Sequence, residues 1–393
     1  MKTPDVQRRR FLSTAGVSLA VGAGALSAST SASASTAVLP TIKWRLTSSF
    51  PKSLDTIHGG AETLAKRIAS ATGGKFQIQV FAAGELVPGP QALDAVKDGT
   101  VECCYTAPYY YFGKDATFAF GTAIPFGLNT RQQNAWMYHG GGLALMREFY
   151  RDYGIINFPA GNTGAQMGGW FRKEIKTVAD LKGVKFRIAG FAGKILAKLG
   201  VIPQQIPGSD IYPALENGTI DAAEWVGPYD DEKLGLNKIA KYYYYPGWWE
   251  GGPQLDLYVN LKQWEALPPE YKSILEAACA EANIDMTAKY DAVNPAALRR
   301  LVRQGAQLRP FSREIMEACY KATVDACEEE AAKNPRFKKI YGPWKIFRDD
   351  QILWFRVAEQ NFDNFMATIN VNKPAADAKA EAEGRSKSVP TNK

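Results

Sequence analysis

The chain has 393 residues, 46% hydrophobic, 12% aromatic and 22% charged, with 47 Lys and Arg against 40 Asp and Glu, 2 His and 5 Cys. That length allows two domains of ordinary size, and the composition excludes a disordered polymer or a collagen-like repeat. No CxxC motif and two isolated histidines leave no Cys/His zinc site, and no apolar run reaches the roughly 18 residues of a membrane-spanning helix.

The chain opens with a polar, basic stretch, Met1 to Arg10, then 14 small and apolar residues, Ala15 to Ala28, then the A-x-A site Ala32-Ser33-Ala34. As a helix the apolar stretch reaches only about 21 Å, short of the roughly 30 Å hydrocarbon core, so residues 1–34 read as a cleaved signal peptide. Arg8-Arg9-Arg10-Phe11-Leu12 fits the twin-arginine export signal RRxFL. Cleavage after Ala34 leaves 43 basic against 39 acidic residues, a net charge of +4, and cleavage after Ala37 removes no further charge. Charge that small and scattered argues against a nucleic-acid partner. The densest basic group, Arg299, Arg300, Arg303 and Arg309, reads as a solvated helix face.

Thr41 to Phe50 (TIKWRLTSSF) predicts a strand, His58 to Thr72 a helix stopped by Gly73-Gly74, and the strict alternation of Phe76 to Phe81 (FQIQVF) a second strand. A short helix, Pro90 to Lys97, closes at Gly99 before a strand over Val101 to Thr106. This is the order of an open parallel α/β sheet. It returns 119 residues later: Ala92 to Tyr109 can be laid over Ile211 to Pro228, matching Gly99-Thr100 with Gly218-Thr219, Tyr105 with Glu224 and Thr106 with Trp225. Two similar α/β lobes are therefore expected. Ligands of open α/β sheets bind beyond the carboxyl ends of strands, so these two strand ends are expected to face each other across a cleft.

Ile155 to Arg172 and Gly251 to Asn260, long, Gly-rich and β-prone, are the expected connections between lobes. Beyond Pro268 the pattern is helical: Pro269 to Asp291, Pro295 to Gln304, Arg313 to Lys333 and Asp349 to Ile369. Residues 373–393 lack aromatics and are expected to form a disordered tail. Cys103-Cys104 read as two small buried hydrophobes in a strand. Cys319 and Cys327, about 12 Å apart along one helix, cannot bridge.

No catalytic signature stands out: there is no GxSxG elbow, HExxH, Walker loop or GxGxxG after a strand. His58 and His139 sit in helix-like, Gly-flanked contexts and read as structural. What does stand out is polar residues embedded in aromatic, Gly-rich stretches: Tyr105 to Lys114, Asn162 to Arg172, Val184 to Gly190, Glu224 to Tyr229 and Tyr242 to Gly252. Small-ligand sites have this make-up. Arg187 lies in an otherwise apolar strand (VKFRIAG), and a buried arginine needs an anionic partner. That partner is either a protein carboxylate or a ligand carboxylate gripped by two parallel hydrogen bonds, and the pattern leaves both open.

Val178 to Arg187 (VADLKGVKFR) resembles the DLKGxKxR segment of the periplasmic solute-binding proteins of TRAP (tripartite, ATP-independent) transporters. With the twin repeats, the downstream helices and Glu224-Trp225, the similarity spans most of the mature chain. YYYFGK, PFGLN, EWVGPYD and PGWWEGG resemble the branch that binds 2-oxo monocarboxylates such as pyruvate. The resemblance implies a two-lobed α/β binding protein with a mixed, mostly parallel sheet in each lobe, long connecting helices and a C-terminal helical extension. Lobe 1 would span 35–160 with part of 251–300 and lobe 2 would span 161–250. Crossing strand and helices would occupy 251–345, and a terminal helix 346–372.

The resemblance further implies that Arg187 grips the substrate carboxylate and that a cation, Na⁺ or Ca²⁺, bridges protein and ligand. Gln166, Glu224, the main-chain carbonyl of Trp225 and Glu250 are its implied ligands, all offering the oxygens that hard cations prefer. Asn162 and Tyr105 are implied donors to the ligand, and Tyr109, Trp170 and Trp248 implied walls. Gln166 stands where sialic-acid members carry a second arginine, which favours a small monocarboxylate over a sugar acid. Pyruvate, 2-oxobutyrate, lactate, another hydroxy or aromatic acid and a C4-dicarboxylate stay open. So does an exported oxidoreductase, although neither an organic cofactor nor an acid/base pair is expected. The implied partners are the small and large membrane subunits of the transporter. A second copy is also implied, docking on Gln351 to Ile369 with Leu353, Trp354, Phe355, Val357, Phe362 and Phe365; the alternative is packing on the chain's own long helices.

Overall fold

Glycine turns and proline starts cut this chain into short alternating elements. The computed structural model describes residues 39–371; the signal over 1–34 and the tail over 373–393 lie outside the described residues. In chain order come β1 (Ile42–Ser48), α1 (Gly59–Ala71), β2 (Phe76–Phe81), α2 (Ala92–Lys97), β3 (Cys103–Thr106), α3 (Thr130–His139), α4 (Gly142–Arg151), β4 (Ile155–Asn162) and β5 (Gly169–Phe171). They continue with β6 (Lys185–Arg187), α5 (Gly190–Lys198), β7 (Ile202–Gln204), α6 (Gly208–Glu216), β8 (Ala222–Ala223), α7 (Pro228–Leu234), β9 (Tyr242–Tyr245) and β10 (Gln254–Asn260). The last are α8 (Leu261–Ala266), α9 (Pro269–Arg303), β11 (Gln307–Pro310), α10 (Arg313–Lys333), α11 (Pro335–Val357) and α12 (Glu359–Val371).

Two sheets result. Sheet A has the order β2-β1-β3-β10-β4, with β1, β2 and β3 parallel and β10 antiparallel to both its neighbours. Sheet B has the order β11-β9-β5-β8-β6-β7. The repeated unit sits at corresponding places: β3 lies between a parallel and an antiparallel neighbour in sheet A, and β8 does the same in sheet B. Gly99 and Gly218, which close the preceding helices, have φ of 73° and 74°, the left-handed conformation that costs glycine least. The chain crosses between sheets at residues 163–168, at 246–253, and again where α9, packed on β4 and α1 of sheet A, leads into β11 of sheet B.

Two helical boundaries differ from expectation. The predicted pair Pro269 to Asp291 and Pro295 to Gln304 is one helix, α9, with Pro295 inside it. The proline removes one backbone hydrogen bond, but burial of Tyr290 before it and of Ala297 and Leu301 after it keeps the helix running. The predicted helix Asp349 to Ile369 is instead the end of α11 and a separate α12, broken at Ala358 (φ −91°, ψ −84°). Along these two helices Leu353, Trp354, Val357, Phe362 and Phe365 are exposed rather than packed on the chain's own helices. Cys103 and Cys104 are buried free thiols of β3, and Cys319 and Cys327 are buried and free on α10. Arg300 and Arg309 of the basic group pair with Glu232 and Glu174. Among the described residues no helix is long and apolar enough to cross a membrane.

Candidate functional site

Arg187 ends β6 with Phe186 and Ile188 buried on either side, and is itself 2% exposed. β6 pairs in parallel with β8 (Arg187 opposite Ala223), so the residue just past β8, Glu224, reaches the guanidinium. Arg187 Nη1 donates to Glu224 Oε1 at 2.5 Å and to the Glu224 carbonyl at 2.9 Å, and Nε donates to the Ile206 carbonyl at 3.3 Å. Nη2 takes part in none of these bonds. The guanidinium carbon lies 5.1 Å from the centre of the Trp225 ring, which itself packs against Gly208, where a side chain would collide with it. The alternative left open by sequence is thus answered in part: a protein carboxylate holds one edge of Arg187.

A set of oxygens gathers beside this pair. Gln166 lies on the crossing segment 163–168, tied to the second crossing by its N–H to the Glu250 carbonyl (3.0 Å) and by the Gly247 N–H to its own carbonyl (2.9 Å). One end of its side-chain amide is 2.8 Å from the Trp225 carbonyl oxygen and 2.5 Å from Glu250 Oε2, and the other is 3.0 Å from Thr163 Oγ1. Hydrogen bonding alone is satisfied with the amide nitrogen turned toward the two oxygens. A cation among these groups would be held by the opposite rotamer, with the amide oxygen inward. Glu224 Oε2 is buried with no partner. Burial raises the Glu224 carboxyl against the pull of Arg187. It raises Glu250 well above the usual range, helped by the nearby charge of Glu224. Two carboxylates, a carbonyl and an amide form a donor set that suits a hard cation.

The remaining site residues predicted from sequence separate into two groups. Tyr109 belongs here: it lines a small cavity with Gln166 and Trp225, and its ring approaches Gly190, where any side chain would collide with it. Tyr105, Trp170, Asn162 and Trp248 do not. The Tyr105 hydroxyl is wedged against Gly60 and Gly161 in the core and donates to the Ala160 carbonyl at 2.9 Å. Trp170 stacks on Tyr243 at 3.9 Å and spends its indole N–H on Asp231. Asn162 is a staple between crossing segments, accepting from Thr130 Oγ1 and the Gly164 N–H and donating to the Gly252 carbonyl. Trp248 stacks on Phe126 at 4.9 Å. The residues just past the two strand ends, Ala107 after β3 and Trp225 and Val226 after β8, line one small cavity, while Tyr105 itself spends its hydroxyl on the Ala160 carbonyl.

Two residues were missed from sequence, Tyr110 and Thr163. Tyr110 lines two small cavities of about 10 Å³ each, roughly one water's room. One is bounded by Arg187, Gln205 and Ile206, the other by Thr163, Gln166, Trp225 and apolar side chains. A larger concavity of about 350 Å³ lies at the opposite end of β6, between Arg172 and Val184, so size does not locate this cluster.

Residues 47–334 match the model of the bacterial extracellular solute-binding protein family 7. The chain belongs to that family. This family 7 protein is 54% identical to the monocarboxylate 2-oxoacid-binding periplasmic protein of Nostoc sp., over 92% of this chain and 100% of the relative. Its fold matches a TRAP transporter solute-binding protein from Bordetella bronchiseptica with a TM-score of 0.84 and 55% identity, over 84% of this chain and 99% of the other. That protein was solved as a mixed-occupancy dimer, one site holding copurified calcium and picolinate. A TRAP periplasmic solute-binding protein from Pseudoalteromonas atlantica, with bound sodium and pyruvate, matches with a TM-score of 0.80 and 39% identity over 82% and 99% of the two chains.

Proposed function

We propose that this family 7 protein captures a short 2-oxo monocarboxylate together with a hard cation in the periplasm. It would be exported there by its twin-arginine signal and present the acid, chemically unchanged, to the membrane subunits of a TRAP transporter. The observation that carries this reading is the convergence of the Gln166 amide, the Trp225 carbonyl and the Glu250 carboxylate beside the buried Arg187–Glu224 pair. The relatives support it: pyruvate and picolinate, held by the Pseudoalteromonas and Bordetella proteins, share a carboxylate with a lone-pair donor on the adjoining atom, a pairing that chelates one cation. In this reading Arg187 donates to the ligand carboxylate and Tyr109 and Tyr110 enclose it. Gln166, Glu224, the Trp225 carbonyl and Glu250 hold the cation, which supplies a second positive anchor for the acid. Sheets A and B are the cores of the two lobes, and their closure over the acid hinges at the crossings 163–168 and 246–253.

Charge balance points to the cation. Arg187 with two ionised carboxylates leaves the buried cluster one negative charge, so a divalent ion with a monocarboxylate makes it neutral and a monovalent ion does not. Buried net charge is costly, so Ca²⁺ is favoured over Na⁺. Titration calorimetry of the chelator-treated protein with pyruvate is expected to show binding about tenfold or more tighter in Ca²⁺ than in Na⁺. Equal affinity with either ion and with chelator would sink the cation role. The exposed apolar residues of α11 and α12 suit a second copy of the chain, and the Bordetella protein was solved as a dimer. Sedimentation at micromolar concentration should give a dimer that the pair Phe362→Glu and Phe365→Glu dissociates; a monomeric wild-type chain would overturn this part.

A further inference from the structure

The loop that leaves β1 and the helix that follows β8 belong to different sheets, yet a buried carboxylate joins them. Asp230, in the first turn of α7, has no exposed surface. Its Oδ1 accepts from Thr56 Oγ1 at 2.5 Å, and its Oδ2 accepts from the Tyr290 hydroxyl at 2.6 Å. Thr56 lies in the loop between β1 and α1 of sheet A, and Tyr290 on α9. Its neighbour Asp231 turns the other way, into sheet B, accepting from Tyr243 and Trp170 and from the Val226 N–H. Helix α7 is therefore rooted in sheet B by one aspartate and tied toward sheet A by the next.

Weaker contacts surround this tie. Asp55 pairs with Lys233 of α7 and Lys289 of α9 and accepts from the Tyr229 hydroxyl at 3.2 Å, and the Asn294 side chain of α9 accepts from the Tyr229 N–H at 3.0 Å. The Asp55 carboxylate is half exposed, so its ion pairs hold little. The Asp230 bonds are shielded and carry a charged acceptor, the stronger kind. The covalent crossings between sheets run elsewhere, at 163–168, at 246–253 and behind α9. None of Thr56, Asp230 and Tyr290 touches the cluster around Arg187 and Gln166. Parting the two sheets on this side requires breaking the Thr56–Asp230 bond.

We propose that Thr56 and Asp230 form a latch between the two lobes that slows release of a captured ligand without touching it. This rests on the reading that a small acid is held by lobe closure. Both are positioning residues: they act through the spacing of the lobes. The test uses the full chain with pyruvate and Ca²⁺, stopped-flow tryptophan fluorescence for rates and calorimetry for Kd, on wild type, Thr56→Val, Thr56→Ser and Tyr290→Phe. Losing one hydrogen bond to a buried carboxylate predicts that Thr56→Val raises koff and Kd about tenfold while kon stays within about threefold. Thr56→Ser, which keeps the hydroxyl, should behave as wild type, and Tyr290→Phe, which removes the second donor, should speed release in the same direction. If Thr56→Val binds pyruvate with wild-type Kd and koff, the latch is wrong and the ligand reading stands. Equal losses in Thr56→Ser and Thr56→Val also overturn it, because they trace the effect to loop packing. A wild-type protein that binds no 2-oxo acid overturns the ligand reading and this proposal with it.

Discussion

Two buried acidic groups of this molecule differ in one respect that burial does not reveal. Asp231 is 1% exposed, and its carboxylate accepts from the Tyr243 hydroxyl at 2.7 Å, the Trp170 indole at 3.0 Å and the Val226 N–H at 3.3 Å. Glu224 and Glu250 are 1% and 3% exposed. There, Glu224 Oε2 has no partner, and Glu250 Oε2 shares one amide with the Trp225 carbonyl. The first group matches its acceptors with donors, as buried polar groups ordinarily do. The second carries more acceptors than donors, a surplus that either a proton on a carboxylate or a bound cation relieves. The balance of donors, rather than depth, separates scaffold from site.

Replacing the site's one fixed cation should have the largest effect. Arg187→Ala removes the donor proposed for the ligand carboxylate, and calorimetry should show pyruvate affinity falling about a thousandfold or more. It also strands Glu224 in the core, at a cost of about 3–5 kcal/mol, so the melting temperature should drop as well. Removing an arginine that served only the ligand would leave melting unchanged; the pair with Glu224 at 2.5 Å is what couples the two readouts here. Wild-type pyruvate affinity in the variant would end the assignment.

The frame was legible because its punctuation is local. Gly73-Gly74 and Gly99 announce their turns in the sequence, and FQIQVF shows its buried face by alternation. The continuity of α9 through Pro295 was not legible, since it depends on what Ala297 and Leu301 bury against. Arg187, Gln166, Glu224, Trp225 and Glu250 were named through motifs, and the structure brings them together. Tyr105, Trp170 and Asn162 came from the same kind of aromatic, Gly-rich context and face elsewhere. Each is claimed by a partner distant in sequence: Ala160 for Tyr105, Asp231 for Trp170, Gly252 for Asn162. Tyr110 sits among three consecutive tyrosines, and the single helical turn over Pro108–Tyr111 decides which of them lines a cavity with Arg187.

A paired substitution sharpens the contrast at smaller amplitude. Glu250→Gln removes a surplus acceptor charge, so thermal stability of the ligand-free protein should hold within about 1 kcal/mol, while Ca²⁺-dependent pyruvate affinity falls about a hundredfold. Asp231→Asn turns an amide into a nest of donors and should cost about 1–3 kcal/mol of stability, with a much smaller change in affinity. Melting curves and calorimetry on the same samples read both quantities. The reverse assignment of the two losses would break the distinction between scaffold and site.

The smallest effect is that of pH on stability. Burial pushes Asp231 and Asp256 up to about 7 and Asp230 up to about 6, outweighing their hydrogen-bond donors. A folded-state carboxyl above its ordinary value of about 4 holds a proton that the unfolded chain releases. The stability these groups lend is therefore complete below about pH 4 and is lost as pH rises through 6 to 7. Asp55 acts the other way: burial pushes it up, but Lys233 and Lys289 together outweigh that and hold it at about 2, so its contribution is lost only in strong acid. The melting temperature should fall by several degrees between pH 5 and pH 8, and Asp231→Asn should remove part of that slope. A profile that stays level to pH 8 would mean that Tyr243, Trp170 and the Val226 N–H keep Asp231 ionised despite its depth. That would widen the gap between its donor-matched carboxylate and the donor-poor pair at Glu224 and Glu250.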